Sequence, residues 1–322
     1  MIFIFSKSKF EGTTDDVIDW LRYFGANYER INGVDYFKKI FFVEGEKDDL
    51  IGNINQAKVC WFRRWIDDDF FSGLLKDADL SVENWKLLEN HLHREFNLLS
   101  NELWRKLKEK HWVTKPSEIS TKKLEVIEIA NKHGILVPRT LVTTSKKELV
   151  EFKRVNGRVI TKTVGDVPNF RNDGKFYSMR TEEISDDFLN NDVPDFFFPS
   201  LFQALIEKEI ELRIFFLFDR FFSMAIFSQS NKDTELDFRN YDYKKPNRMT
   251  PFRLPIWLEH KLKLLTSSLK LTTGSIDIIK EKATGSYYLL EINPVGQFGM
   301  TSHPCNYYLE RELAKQLIRY DE

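Results

Sequence analysis

The sequence predicts a mixed α/β (α+β) protein built from more than one compact unit, and three observations carry that reading. The first thirty-odd residues alternate apolar strand and amphipathic helix signals. A run from Pro199 to Gln229 is almost continuous strand-forming material. Near the C-terminus, "YYLLEINPVGQFGM" (Tyr287 to Met300) is an apolar strand that runs into a carboxylate and, two residues on, an amide. At 322 residues the chain exceeds one small core, so two or three units are expected.

Taken in order, "MIFIFS" reads as strand, "DDVIDWLRYFG" as a helix stopped by Gly25, and "YERING" as strand, the opening of an α/β unit. "AKVCWFRRW" (Ala57 to Trp65) is a strand that ends in two arginines between aromatics. From Ser81 to Lys110 the composition is helical, with Leu87, Leu88, His91, Leu92, Glu95, Phe96 and Leu99 approximating one face, and Pro116 breaks the segment that follows. His91 and His93 fall on different faces of that helix and show no metal-ligand spacing, nor does His111.

A helix from Thr121 to His133, stopped by Gly134, leads to extended "ILVPRTLVT", a second helix "KKELVEFKRV" and a strand "GRVITKTV" that contains Lys162. Residues 166–200 are turn-rich, with Pro168, Gly174, Pro194 and Pro199, and are expected to form a hairpin and a connecting helix in a mobile subdomain. The strand-rich run after Pro199 should turn as a hairpin at Asp219–Arg220. "LPIWLEHKLKLLTSSLKL" is a helix, "TGSIDIIKE" and "SYYLLEIN" are strands paired across Ala283–Gly285, and "NYYLERELAKQLIR" is the last helix. The chain has no internal repeat and no low-complexity segment.

Forty-eight Lys and Arg balance forty-nine Asp and Glu for a net charge of −1, which excludes a protein whose main work is coating phosphate backbones; no nucleic-acid partner is expected. Cys60 and Cys305 alone give neither a disulfide framework nor a cysteine metal site, consistent with a reducing cytoplasm. "MIFIFSKSKF" is too short in its apolar run for a signal peptide, and no run reaches membrane-spanning length, so no membrane partner is expected either.

The chemistry concentrates late in the chain. Side chains at i and i+2 of a strand share a face, so Glu291 and Asn293 converge. If the two strands pair about a turn near Thr284, Asp277 lies opposite Glu291. Three oxygen donors clustered in this way suit Mg²⁺, which is held by one or two carboxylates together with nucleotide phosphates. The competing reading is a strand leaving to solvent through a polar turn. Lys162 is either a snorkelling surface residue or a phosphate contact. In "EKEIELR", strand alternation places Glu207, Glu211 and Arg213 on one face and Lys208 on the other. Adenine can use backbone groups of Ala204, Leu205 and Ile206, with Lys208 near its ring and Glu211 open to ribose hydroxyls. Gln203, at the head of the same run, is counted with these nucleotide contacts.

This order of features resembles the ATP-grasp ligases, and residues 115–300 carry the resemblance. "HGILVPRT" is similar to the turn that precedes the lid in these enzymes. A narrower likeness lies in "LFQALIEKEIELRIFF", "DTELDFRNYD", "LLEINPVGQFGM" with "PCNYYLE", and "WFRRW", which look like the peptide-modifying ATP-grasp enzymes of graspetide biosynthesis, both microviridin-type ligases and grasp-with-spasm maturases. The resemblance implies an ATP-grasp fold with an N-terminal α/β domain over 1–113, a central lid subdomain with a leader-docking region over 114–200, and a C-terminal nucleotide and magnesium domain over 201–322.

The resemblance further implies ATP and Mg²⁺ as cofactors and a ribosomally made precursor peptide, leader and core, as partner. It implies a ligase that phosphorylates Asp or Glu side chains of that peptide and joins them to Thr or Ser hydroxyls as macrocyclic esters. Amide formation with Lys, or a different acceptor, is the alternative. Many ATP-grasp lids cover the phosphates with a glycine-rich loop, whereas "TVGDVPNFRNDGKF" has only Gly165 and Gly174.

Arg213 and Arg239 are expected to hold the acyl phosphate or the acceptor carboxylate in a guanidinium fork, with Arg248 as a further candidate. Asp237 either assists removal of the attacking hydroxyl's proton or positions Arg239. "WFRRW" is either internal arginine–aromatic packing or a substrate contact. The aromatic-rich strands also point to a homodimer.

Overall fold

A computed structural model describes residues 1–40, 54–67, 69–165, 169–172, 175–178, 181–229 and 246–322, the two short stretches 169–172 and 175–178 as backbone only. The chain divides into two compact units, Met1–Ser120 with Pro294–Glu322, and Thr121–Asn293. This differs from the expected three-way division: the segment after Asn293 groups with the N-terminal unit, and residues on both sides of position 200 form one body.

The first unit begins β1 (Ile2–Ser6), α1 (Gly12–Tyr23), β2 (Tyr28–Asn32), α2 (Gly33–Lys39), β3 (Val59–Phe62), α3 (Phe70–Leu74), α4 (Val82–Lys106) and β4 (His111–Thr114). The four strands form a parallel sheet in the order β2-β1-β3-β4. Every residue of β1 and β3 is buried, as expected of central parallel strands covered on both faces. Gly25 ends the first helical segment with φ +69°, a conformation that glycine adopts without Cβ strain. Phe3, Phe5, Tyr36, Phe62, Phe71 and Phe96 make the core aromatic.

The helix from Ser81 forms, capped by the Ser81 hydroxyl accepting from the Asn84 N–H at 3.3 Å. Its buried face overlaps the predicted one at Leu92 and Phe96 but continues through Ser100 and Leu103 instead of Leu99. Leu87 and Leu99 are 61% and 49% exposed, while Phe96, Ser100 and Leu103 are buried. The face is set by the partners available: Trp65 Nε1 donates to Ser100 Oγ at 2.8 Å, and the Tyr36 hydroxyl donates to the Leu99 carbonyl at 3.1 Å. His93 lies against the Phe71 ring at 4.1 Å.

The second unit contains α5 (Lys123–Lys132), β5 (Thr140–Ser145), α6 (Lys146–Asn156), β6 (Val159–Lys162), β7 (Asn169–Asn172), β8 (Lys175–Ser178), β9 (Glu182–Glu183), α7 (Asp186–Asn191), β10 (Phe196–Ala204), β11 (Lys208–Leu217), β12 (Arg220–Phe227), β13 (Arg248–Phe252), α8 (Ile256–Ser268), β14 (Thr273–Glu281) and β15 (Tyr287–Asn293). One sheet runs β5-β10-β6-β9, another β13-β12-β11-β14-β15, and β7 pairs with β8 as the expected hairpin. The β11–β12 turn is Phe218–Asp219, one residue earlier than predicted, with Phe218 at φ +54°.

The five-stranded sheet is antiparallel throughout and has one oily face. Ile210, Leu212, Ile214 and Phe216 of β11 join Ile276 and Ile278 of β14 and Leu258, Leu262 and Leu265 of α8 in one core. Alternation therefore sends Glu211, Arg213 and Asp277 to the opposite face.

The chain closes with α9 (Gly299–Cys305) and α10 (Leu309–Arg319) in the first unit. The helix α9 begins at Gly299, six residues after β15 ends. Leu309, Leu313, Ala314 and Leu317 form the buried stripe of α10, at the spacing an amphipathic helix requires. Among the described residues no helix is long and apolar enough to cross a membrane.

Candidate active site

A cleft of about 300 Å³ lies within the second unit. Ile160 and Lys162 of β6, the segment Gln203–Lys208, Glu211 of β11, Asp277 of β14 and Leu290 and Glu291 of β15 line it. Most of the residues singled out from sequence thus line one cleft.

The carboxylate end follows directly from strand register. β14 and β15 pair antiparallel with Asp277 opposite Glu291, as predicted, and with Ser275 opposite Asn293. The ladder slips immediately beside this pair, where Leu290 is an extra residue between the Leu289 and Glu291 pairings. The bulge explains why adjacent Leu290 and Glu291 both reach the cleft. Asn293 is exposed at the strand end and does not line the cleft.

Arg213 sits opposite Asp277 in the β11–β14 register, and its Nη1 donates to both Asp277 carboxylate oxygens, at 2.6 and 2.5 Å. Both side chains are largely buried, and the Arg213 Nε is a buried donor with no hydrogen-bond partner among the described residues. Expected on a substrate group, this guanidinium is instead joined to the proposed metal ligand. Such a contact offsets the cost of a buried carboxylate while no cation is bound.

The face assignment of Lys208 is corrected. β11 pairs Lys208 with Glu281 but Ile210 with Lys280, so Glu209 is an inserted residue and strand parity flips across it. Lys208 therefore lies on the same side as Glu211, and its Nζ donates to Glu211 Oε1 at 2.5 Å. The Ser228 hydroxyl donates to the same oxygen at 2.7 Å. Glu211, read from sequence as open to ribose hydroxyls, is thus engaged in a buried Lys208–Glu211–Ser228 network, while Glu207 remains in the connecting loop.

At the other end, Leu201 to Ala204 of β10 pair with β6 so that Lys162 stands opposite Leu201 and Ile160 opposite Gln203. The Ala204 and Leu205 N–H groups donate to the carbonyls of Arg139 and Arg158, both at 2.9 Å. The Ala204 and Leu205 amides are therefore not available as donors to a base. Gln203 is 1% exposed, donates from Nε2 to Thr140 Oγ1 at 2.9 Å, and leaves Oε1 buried without a hydrogen-bond partner among the described residues.

Asp237 and Arg239 lie outside the described residues. Arg248 begins β13 away from the cleft, exposed, with its guanidinium 5.2 Å from the Phe227 ring. The arginines of "WFRRW" sit in the first unit, where Arg63 donates to Glu11 at 3.2 Å and lies 5.9 and 5.8 Å from the rings of Trp61 and Phe298. Sequence reasoning missed Arg158 and Lys282, which also line the cleft. The signal for Arg158 was available, since Arg158, Ile160 and Lys162 follow the two-residue period of one strand face; Lys282, just past the end of β14, had none.

No family model matches the chain, and no curated protein matches it. Solved structures do. The chain is similar to a RiPP-associated ATP-grasp ligase from Chryseobacterium gregarium, solved with ADP and a leader and core peptide, at 22% identity and a TM-score of 0.80 over 99% of this chain and 96% of that one. It is similar to the macrocyclase MdnC of Microcystis aeruginosa, bound with precursor peptide MdnA, at 22% identity and 0.77 over 99% of each chain. The ATP-grasp ligase PsnB, complexed with minimal precursor, Mg and ADP, matches at 16% identity and 0.76 over 100% of this chain and 97% of that one. The chain has the ATP-grasp fold over nearly its whole length.

Proposed function

We propose that the protein is an ATP-dependent ligase that activates Asp or Glu side chains of a ribosomally made precursor peptide and joins them to Thr or Ser hydroxyls as macrocyclic esters. The observation that carries this reading is the Asp277–Glu291 pair, set opposite one another by strand register in the wall of a cleft whose other wall presents Lys162. The fold supports it, because the structural neighbours include ligases solved with ADP and with precursor peptides.

The residues fit the groups the reading requires. Asp277 and Glu291 line the cleft as a carboxylate pair of the kind that holds Mg²⁺, and Asn293, two residues beyond Glu291 at the strand end, would add its amide oxygen. The buried, unpartnered Gln203 Oε1 and the adjoining carbonyls suit the edge of a base, and Lys162 suits a phosphate. MgATP, when bound, supplies the phosphoryl group that turns an unreactive carboxylate into an acyl phosphate. The chain's own residues do the rest. Lys162 and Lys208 steady the nucleotide. Arg213, which here holds Asp277, would be free to fork onto the incoming carboxylate if Asp277 were engaged by a cation, lowering repulsion between two anions. Arg239 adds a second fork, and Asp237 takes the proton of the attacking hydroxyl or positions Arg239. The hairpin and helix between Phe170 and Asp195 dock the leader.

The test is mass spectrometry of a Thr- and Asp/Glu-containing precursor incubated with protein, ATP and Mg²⁺. One water is lost, and one ADP formed, for each ring closed. Esters open in mild base and amides do not, which separates Thr or Ser acceptors from Lys. Equal rates on leaderless and full-length peptide would remove the docking role, and ATP turnover without peptide mass change would remove the peptide substrate.

A further inference from the structure

Away from the cleft, the first unit brings together three ligating side chains from elements at opposite ends of the sequence. Asp16 of α1, His303 of α9 and Glu310 of α10 each place a ligand atom within 4.8 Å of the other two. Asp16 and His303 are exposed, and Glu310 is 5% exposed.

The arrangement goes beyond proximity. Glu310 is held in place: its Oε2 accepts from the Ser302 hydroxyl at 2.7 Å, and that hydroxyl accepts from the Leu309 N–H at 2.9 Å. Its Oε1 is buried and has no hydrogen-bond partner among the described residues. A buried carboxylate oxygen left so is costly, and calls for a cation or a donor. No Lys or Arg forms an ion pair with Asp16 or Glu310 among the described residues. Burial, and then the nearby Glu310 charge, raise the Asp16 pKa, with His303 acting the other way. Two carboxylates, one of them buried, and one imidazole therefore crowd together with no lysine or arginine paired to either acid among the described residues.

Donor chemistry selects the occupant. Oxygen-only sets suit Mg²⁺ and Ca²⁺, whereas an imidazole with two carboxylates suits a first-row divalent ion. Ligand distances of roughly 2.0–2.2 Å are reached by rotamer changes at the two exposed side chains, closing on a fixed Glu310. We propose that Asp16, His303 and Glu310 form a Zn²⁺ site, with Ser302 orienting Glu310, that clips the C-terminal helices α9 and α10 to α1. It is separate from the cleft and independent of the proposed ligase activity.

The test is titration of chelator-stripped, full-length protein with Zn²⁺ by calorimetry, in the presence of Mg²⁺, alongside Co²⁺ substitution read by visible absorption. One equivalent should bind and raise the melting temperature. Asp16→Asn and His303→Ala, both at exposed positions, should each weaken binding ~10-fold or more and alter the Co²⁺ spectrum, and Ser302→Ala should weaken it less. Failure of the wild type to bind Zn²⁺ would overturn the site. Unchanged affinity and stoichiometry in both exposed variants would overturn it too, by assigning the ion to other histidines.

Discussion

The two units bury arginine–carboxylate pairs in different surroundings. In the first, Arg63 and Glu11 have side chains 4% and 1% exposed, with Arg63 against the rings of Trp61 and Phe298. In the second, Arg213 and Asp277 are 9% and 15% exposed, and Asp277 faces a cleft beside a second carboxylate, Glu291. Burial pulls the Arg63 pKa down while Glu11 opposes it, and the guanidinium also donates to the Gly296 carbonyl at 3.5 Å. A pair sealed on all sides can only hold the fold, whereas a pair opening on a cleft can exchange one partner for a ligand. The difference lies in what borders the pair and not in the pair itself.

The largest expected effect tests the cleft side. Glu291→Gln keeps shape and removes one oxygen charge, and should cut ring formation by ~10³-fold, the upper end for a single transition-state electrostatic contact, without unfolding the protein. Ordinary ATP- and precursor-dependent cyclisation by this variant, measured by peptide mass, would remove the metal site. Next come the two arginines. Arg213→Ala should retain ATP binding and lose ring formation by ~10²-fold, with Lys a poor rescue, because an ammonium cannot span two oxygens in a fork. Arg63→Ala, leaving Glu11 buried without its main partner, should cost about 3–5 kcal/mol of stability, read as a drop in the melting temperature. If Arg63→Ala were stable but inactive, and Arg213→Ala active but unstable, the assignment of roles would be reversed.

A third pair of variants probes packing in the first unit. Phe96→Ala should cost about 3–5 kcal/mol, while Leu87→Gln should stay within about 0.5 kcal/mol by denaturant titration. Equal costs would return Leu87 to the buried face beside Phe96, where the sequence reading placed it. The smallest effect concerns pH. His111 stacks on Tyr320 at 3.7 Å, and burial lowers its pKa below the ordinary 6.5. The fold favours neutral imidazole, so this contribution is present above 6.5 and is lost as pH falls below it. His111→Phe should therefore lose slightly less melting temperature than wild type between about pH 7.5 and about pH 5.5.

Legibility differed by element. The β14–β15 hairpin was readable because an apolar strand, a short turn and a second apolar strand leave few registers that bury both oily faces. Asp277 opposite Glu291 follows from that. The Lys208 face was misread because a bulge adds a residue without a composition cue, since Glu209 suits a regular strand as well as an inserted position. The α4 face was read only in part for a related reason. Leu87 and Leu99 fit a helical period as well as Phe96 does, but burial depends on where Trp65, Tyr36 and Phe71 stand, and these come from distant elements.

By itself the sequence determined the opening strand–helix–strand, the strand-rich run from β10 to β12, the β14–β15 hairpin, the alternation that splits β11 and β14 into an oily and a charged face, and the convergence of Asp277 and Glu291. These depend on periods of two and 3.6 residues and on short turns, all local properties. Tertiary structure alone decided that Arg213 holds Asp277, that Lys208 and Glu211 share a side, and that α9 and α10 join the N-terminal unit and bring His303 and Glu310 to Asp16. Each of these depends on which distant surface is available to neutralise a charge or cover an apolar stripe, and local periodicity carries no information about that.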